Sequence, residues 1–184
     1  MKPALLDTGV IVALLDRSEK FHQACSETVR NLEAPLVTCE AVIAESCYLL
    51  RNLLGAPEAV IENVVAGIFQ LPFQLSREAF GVKQVWRKNR DRRIDPADAC
   101  LICLADEFET ADILTLDRDF QIYRWGRNRP FRILVARSYL FAATINFAPR
   151  GLRCGANLPT VGCKGPVRAS SSRIAGGRAI VRRR

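Results

Sequence analysis

Short apolar runs that alternate with longer helical patterns leave this chain few ways to fold. "PALLD" (3–7) reads as a buried strand, followed from Thr8 by a helical stretch, "TGVIVALLDR", and by a second one around Phe21 to Leu32. "PLVT" (35–38) is another strand, and Thr38 is placed to N-cap a helix from about Cys39 to Leu54, with Gly55 just past its end. "PEAVIENVVAGIFQL" (57–71) reads as a Pro-led helix, "PFQLS" (72–76) as a strand, and Glu78 to Asn89 as a surface helix. "DPADACLICLADEF" (95–108) is the best-marked helix, with Asp95 as N-cap and Pro96 at its first position. "ADILTLD" (111–117) and "FRILV" (131–135) complete the strands. Strands alternating with helical patterns of about 10 to 15 residues predict an α/β fold: a three-layer α/β/α sandwich around a parallel sheet.

Charge divides the chain in two. Residues 1–146 hold 18 Lys and Arg against 19 Asp and Glu, a net of −1, whereas residues 147–184 hold 9 basic residues and no acid, which together give the overall +8. The segment from Phe147 onward is rich in Gly, Pro, Ser and Arg and has no hydrophobic period, so the expected organisation is one domain over 1–146 and a disordered basic tail over 147–184. That tail reads either as a loose nucleic-acid-binding arm or as an extension without a role of its own. Cys154 and Cys163 lack the spacing and His partners of a zinc site. Seven cysteines, an odd number irregularly spaced, suggest reduced thiols. No apolar run reaches the roughly 18 residues of a membrane span, and the early run is broken by Asp7, so a soluble cytoplasmic protein is expected.

The apolar runs end in carboxylates. In "ILTLDRDF" the run stops at Asp117 and Asp119, and in "PALLDTG" Leu5 and Leu6 run straight into Asp7. Ligands of open α/β sheets bind beyond the carboxyl ends of the strands, and parallel strands would set Asp7 and Asp117 at one edge. Glu45 lies in the apolar stretch "AVIAESCYLL", where a buried helix would leave it needing a partner, and Asp98 sits in the first turn of the 95–108 helix. Taken singly, Asp98 after Asp95 resembles a capping box, and Asp117 with Asp119 resembles a turn. Four converging acids would repel one another, and a hard divalent cation removes that conflict. Beside them, "KQVWRKNRDRR" carries Lys83, Arg87, Lys88, Arg90, Arg92 and Arg93 against one acid and leads into Asp95. It reads equally as an RNA-guiding surface, with Trp86 as a stacking face, or as a solvated helix face with Trp86 packed inward. Arg124, Arg127, Arg129 and Arg132 around Trp125 form a second basic patch or simply a loop.

Taken in order, "LLDTGVIVALLD", "VIAES", "DPADACLICLAD" and "ILTLDRDF" resemble the PIN-domain nucleases, especially the VapC-type toxins of bacterial toxin–antitoxin pairs, from about Lys2 to Tyr139. The resemblance implies an acidic site that binds Mg²⁺ or Mn²⁺ and an endoribonuclease activity. Position by position it falls on Asp7, Glu45, Asp98 and Asp117 as catalytic acids. Asp7, Asp98 and Asp117 would be metal ligands, Asp119 a further one, and Thr8 and Thr115 polar neighbours. One metal or two remains open. It also implies an RNA substrate such as tRNA or rRNA, a cognate antitoxin that inserts a basic residue into the site, and a homodimer. The helices expected over Thr38 to Leu54 and Pro57 to Leu71 offer apolar surface for those partners, or else only cover the sheet.

Other chemistries fit less well. "LLDTG" matches the aspartic-protease signature, but that fold is all-β and Val10 to Leu15 continue as helix. Phosphatases with an aspartate after the first strand want a second acid two residues on, where this chain has Gly9. A nucleophile–histidine pair would rest on His22, the only histidine, in an ordinary amphipathic stretch, and the C-x-x-C of Cys100 and Cys103 lies in an apolar helix and reads as core. The remaining alternative is a catalytically inactive PIN fold serving as an RNA-binding or protein-interaction module, against which the presence of all four acids argues.

Overall fold

Leu5 and Leu6 are wholly buried in a strand of only three residues, β1 (Ala4–Leu6), because both faces of the sheet are covered. A computed structural model of the protein describes residues 1–135. The elements run β1, α1 (Thr8–Leu15), α2 (His22–Arg30), β2 (Leu36–Val37), α3 (Glu40–Leu49), α4 (Ala56–Val65) and β3 (Phe69–Gln70). They continue with α5 (Leu75–Lys88), a 3₁₀ turn at Arg90–Arg92, α6 (Pro96–Glu107), β4 (Asp112–Leu114), a second 3₁₀ turn at Asp119–Gln121, and β5 (Arg124–Trp125), β6 (Arg129–Pro130) and β7 (Arg132–Ile133). The main sheet has the order β3-β2-β1-β4-β7, and every pairing in it is parallel.

That order fixes the layers. The chain moves outward from β1 through β2 to β3, then returns across the sheet to β4 on the other side of β1. Right-handed crossovers therefore put α1 to α4 on one face and α5 with α6 on the other. Packing agrees: α1, α3 and α4 touch one another, and α5 lies along α6. The reversal between β1 and β4 creates a crevice at their carboxyl ends, where ligands of such sheets bind. Helix α6 is buried nearly all round, from Ala97 to Ala105 with Cys103 half-buried, which explains its lack of a polar stripe.

Several expected boundaries move. Cys39, not Thr38, occupies the N-cap of α3, because the Thr38 hydroxyl is spent on the carbonyl of Leu6 at 2.7 Å, a bond between neighbouring strands. Helix α3 stops at Leu49, and Gly55, at φ 75°, serves as the N-cap of α4 in place of ending the preceding helix. The third strand lies at Phe69–Gln70, before Pro72, while Leu75 and Ser76 already belong to α5. Three of the four arginines of the second patch are engaged locally, and Arg127 is exposed. Arg124 donates to the carbonyls of Gln121, Ile122 and Tyr123, Arg129 stacks 4.2 Å over Trp125, and Arg132 pairs with Asp112. His22 is likewise absorbed locally, with Nδ1 2.8 Å from the carbonyl of Ala13. Cys25, Cys39, Cys47, Cys100 and Cys103 are all free thiols. Among the described residues no helix is long and apolar enough to cross a membrane. The expected boundary at Phe147, the tail beyond it and the end of the resemblance at Tyr139 lie outside the described residues.

Because β1 is the central strand, Leu5→Ala is expected to lower stability by about 2–5 kcal/mol, whereas Leu54→Ala, at a fully exposed position, should stay within about 0.5 kcal/mol. Urea denaturation of the two variants beside the parent checks the contrast.

Candidate active site

Each acid at the β1/β4 crevice is placed by backbone geometry. Asp7 follows the last residue of β1 and caps α1: its Oδ1 accepts from the amide of Thr8 at 2.7 Å, and its own amide donates to the carbonyl of Leu114 at 3.0 Å. Its second oxygen, Oδ2, accepts from the hydroxyl of Thr115 at 2.6 Å. Thr115 is wholly buried just beyond β4, and the same hydroxyl oxygen accepts from the amide of Asp117 at 2.9 Å. One threonine thus ties together two acidic residues 110 positions apart. Asp117 in turn accepts from the amide of Asp119 at 2.9 Å, so the expected turn at these two residues is also present.

Asp98 reaches the same place from α6. Its amide donates to Asp95, the N-cap, at 2.8 Å, but its carboxylate does not return to complete a capping box; Oδ2 accepts instead from the phenol of Tyr123 at 3.2 Å. Asp98 is therefore held for something other than ending a helix. Glu45, from α3, is joined through the Thr8 hydroxyl, which donates to its Oε2 at 2.8 Å. The expectation that Glu45 is buried fails: its position on α3 is exposed, with only the carboxylate end drawn toward Thr8. The apolar residues around it face other directions, since Val42 and Ile43 point to the core while Ala44 and Glu45 do not.

Electrostatics show that these groups share one environment. Burial pushes the carboxyl of Asp7 up to about 6, with Asp117 and Glu45 adding to the rise against the hydrogen bonds from Thr115 and Thr8. Burial likewise pushes Asp98 up to about 8, reinforced by Asp95, Asp7 and Asp117. Burial also raises the phenol of Tyr123, helped by Asp98, Asp119 and Asp117, so Tyr123 remains a proton donor to Asp98. Asp119 is exposed, so it lies at the outer rim, and it adds to the rise of Tyr123. Asp7, Asp98, Asp117 and Glu45 are thus brought together, Thr8 and Thr115 are the hydrogen-bond partners of Asp7, Asp117 and Glu45, Tyr123 is that of Asp98, and Asp119 joins at the rim through its amide on Asp117.

Tyr123 was not legible from the sequence as part of this site. It lies three residues past the apparent motif and is wholly buried, brought back by the 3₁₀ turn at Asp119–Gln121 and by edge contacts with Phe120, whose ring centroid is 5.3 Å away. The one available signal was an aromatic residue closely following an acid pair.

The donor set suits a hard divalent cation: every candidate ligand is a carboxylate oxygen, and positive charge would favour the ionised forms of Asp7 and Asp98, which burial first and neighbouring acids second disfavour. Among the described residues no three acidic, His or Cys side chains are already closed around one point. The surrounding charge is asymmetric. Lys83, Arg87, Lys88, Arg90, Arg92 and Arg93 are all exposed along α5 and the following 3₁₀ turn, and the chain leads from there directly into Asp95. Arg90 pairs with Asp91 at 3.7 Å.

Comparison with known proteins fits this geometry. The family model described as PIN domain matches residues 4–126, a span that holds every acid of the crevice and Tyr123. Ribonuclease VapC26 of Mycobacterium tuberculosis is 34% identical over 116 residues, which cover 62% of this chain and 86% of that protein. The crystal structure of VapC20 from the same organism, a toxin that cleaves the sarcin–ricin loop, superposes with a TM-score of 0.58 at 18% identity, over 69% of this chain and 99% of that one, a likeness of fold. With its parallel sheet, its crevice of acids between β1 and β4 and a family match across both, the chain belongs to the PIN-domain family, among the VapC-type ribonucleases.

Proposed function

We propose that the chain is an Mg²⁺- or Mn²⁺-dependent endoribonuclease, the toxin of a toxin–antitoxin pair, acting on structured RNA such as tRNA or rRNA in the cytoplasm. The observation that supports this reading is the gathering of Asp7, Asp98 and Asp117 at one sheet edge, where the Thr115 hydroxyl bridges Asp7 and Asp117, Asp117 acts on both Asp7 and Asp98, and Asp7 acts on Asp98. Asp7, Asp98 and Asp117 would hold the cation, with Asp119 at the rim. Bound there, a divalent ion supplies the charge that favours deprotonation of water and offsets charge building on the phosphate. The chain's own residues do the rest. Thr115 fixes the rotamer of Asp7 and the backbone of Asp117, Tyr123 orients Asp98, and Thr8 holds the carboxylate end of Glu45 where it can take the proton of an attacking water. Lys83, Arg87, Lys88, Arg90, Arg92 and Arg93 supply the attraction for the phosphate backbone that an acidic crevice lacks. A cognate antitoxin would silence the site by placing a basic group among the acids, and a homodimer is part of the same proposal.

Metal-dependent cleavage of a mixed tRNA and rRNA panel is expected for the parent protein, with loss on chelation. In Asp7→Asn the rate should fall by on the order of 100-fold or more. Unchanged cutting by Asp7→Asn would sink the assignment. Thr115→Val, which keeps shape but removes the shared hydroxyl, is expected to weaken metal affinity or activity by about 10- to 100-fold.

The pH dependence of stability follows from the same carboxyls. Asp7 and Asp98 bind protons more tightly in the folded chain than in the unfolded one, so folding takes up protons and stability must fall with rising pH. Their contribution is complete below the ordinary carboxyl value of 3.8 and is lost as the pH passes about 6 for Asp7 and about 8 for Asp98. For Asp7 alone the change is on the order of 3 kcal/mol. Metal-free protein is therefore expected to melt at a lower temperature at pH 8 than at pH 5, and Asp7→Asn should flatten the profile. Added Mn²⁺ should restore the lost stability at the alkaline end. A melting temperature that rises steadily across this range without metal would contradict the buried-acid geometry.

A further inference from the structure

Helix α5 presents a surface that the acidic crevice does not use. Its orientation is set by packing: Gly81 faces the sulfur of Cys103 on α6, with only 3.6 Å from a would-be Cβ, and Val82 beside it is buried. At about 100° per residue, Phe80 then points away from α6, and it is 73% exposed. Lys83 and Arg87, three and seven positions on, lie on the same outer face and are exposed. Trp86 flanks them and is 40% exposed, six residues or about 9 Å along the axis from Phe80. Among the described residues neither Lys83 nor Arg87 has a carboxylate at ion-pair distance. Glu78, the acid of this helix, acts on Cys103 and so belongs to the α6 side. The chain then passes Arg90 and Arg92 and reaches Asp95 seven residues after Lys88, at most about 25 Å away.

An exposed phenylalanine contributes nothing to this helix's packing, and a merely solvated basic face has no use for two rings. Alternating rings and unpaired cations are what a single-stranded polynucleotide requires, because bases stack on aromatic faces while phosphates meet the cations. A duplex cannot use the rings, since its base faces are already stacked inside the helix. We propose that the outer face of α5 is a binding surface for unpaired RNA, with Phe80 and Trp86 stacking bases and Lys83 and Arg87 holding phosphates. It would deliver single-stranded or loop segments to the acidic edge. This rests on the ribonuclease reading above and adds to it the surface on which the substrate is held.

The chain has two tryptophans, and Trp125 is buried under Arg129, so quenching of the accessible fluorescence reports on Trp86. The full chain carrying Asp7→Asn, titrated with a short single-stranded oligoribonucleotide, is expected to lose tryptophan fluorescence, and the matched duplex should leave it unchanged. Adding Phe80→Ala should weaken single-strand binding by about 5- to 100-fold, as removal of one stacking ring does. Adding Lys83→Ala should weaken it too and lower the slope of affinity against salt by about one. Trp86→Phe should keep the binding and abolish the quench. Equal affinities with and without Phe80, or equal quenching by duplex and single strand, would overturn the proposal. So would a drop in solution mass on Phe80→Ala, which would make this face a contact between copies. If the single strand stacks but the parent protein cuts no RNA with divalent metal, the ribonuclease reading falls and the surface stands. If the parent cuts RNA and Phe80→Ala cuts loops at the same rate, the surface falls alone.

Discussion

The site depends on the pairing of β1 with β4. These strands are separated by a hundred residues of helix and two further strands, yet their register sets Leu5 against Ile113 and Leu6 against Leu114. Because side chains alternate along a strand, a slip of one residue would turn every side chain of β1 to the opposite face of the sheet, undo its packing and carry Asp7 away from Thr115. Register is therefore enforced by the burial of residues that have no catalytic part, and the carboxylates follow. The amide of Asp7 extends the ladder by one more bond, to the carbonyl of Leu114, and the Thr115 hydroxyl closes the arrangement above it.

That arrangement opposes the stability of the metal-free chain. Asp7 and Asp98 are each only 7% exposed and both face the charge of Asp117, a placement that burial of apolar residues alone would not select. The fold tolerates it because each buried acid keeps hydrogen bonds: Asp7 from Thr8 and Thr115, Asp98 from Tyr123. Among the described residues no buried side-chain polar atom is left without a partner. The residual repulsion is the part that a cation can relieve, so binding energy and folding energy are coupled at this edge. Buried charge at a functional edge is acceptable here because the surrounding core, from Leu5 through Leu101 to Leu114, is one continuous cluster of buried apolar residues.

Much of this was readable from the residues. Apolar runs that stop at Asp7 and Asp117 declared both the strands and the edge, and the Asp95–Pro96 start of α6 was correct because its signals are local. The third strand was misplaced because two residues, Phe69 and Gln70, carry too little pattern to outweigh Pro72 as a boundary mark. Thr38 looked like a cap for the same reason: sequence shows a hydroxyl before a helix but not the Leu6 carbonyl that claims it. Glu45 was taken as buried from its apolar neighbours, although on a helix neighbours in sequence face different ways. Tyr123 and Phe80 went unseen since one acts through a tertiary hydrogen bond and the other through its exposure, and neither leaves a periodic trace.

Net charge is a poor guide to how such a domain meets a polyanion. Residues 1–146 sum to −1, and yet the run from Lys83 to Arg93 carries six cations and one acid, a local +5. At physiological ionic strength a charge is felt over about 8 Å, so an approaching phosphate responds to the nearest patch and not to the total. On the proposed reading, RNA that meets the acidic crevice directly would be repelled and RNA that meets α5 would be held. Attraction and chemistry would then fall to separate surfaces of opposite sign. Only a cation among the acids makes passage from one to the other favourable, so the same charge that stabilises the folded edge would also admit the substrate.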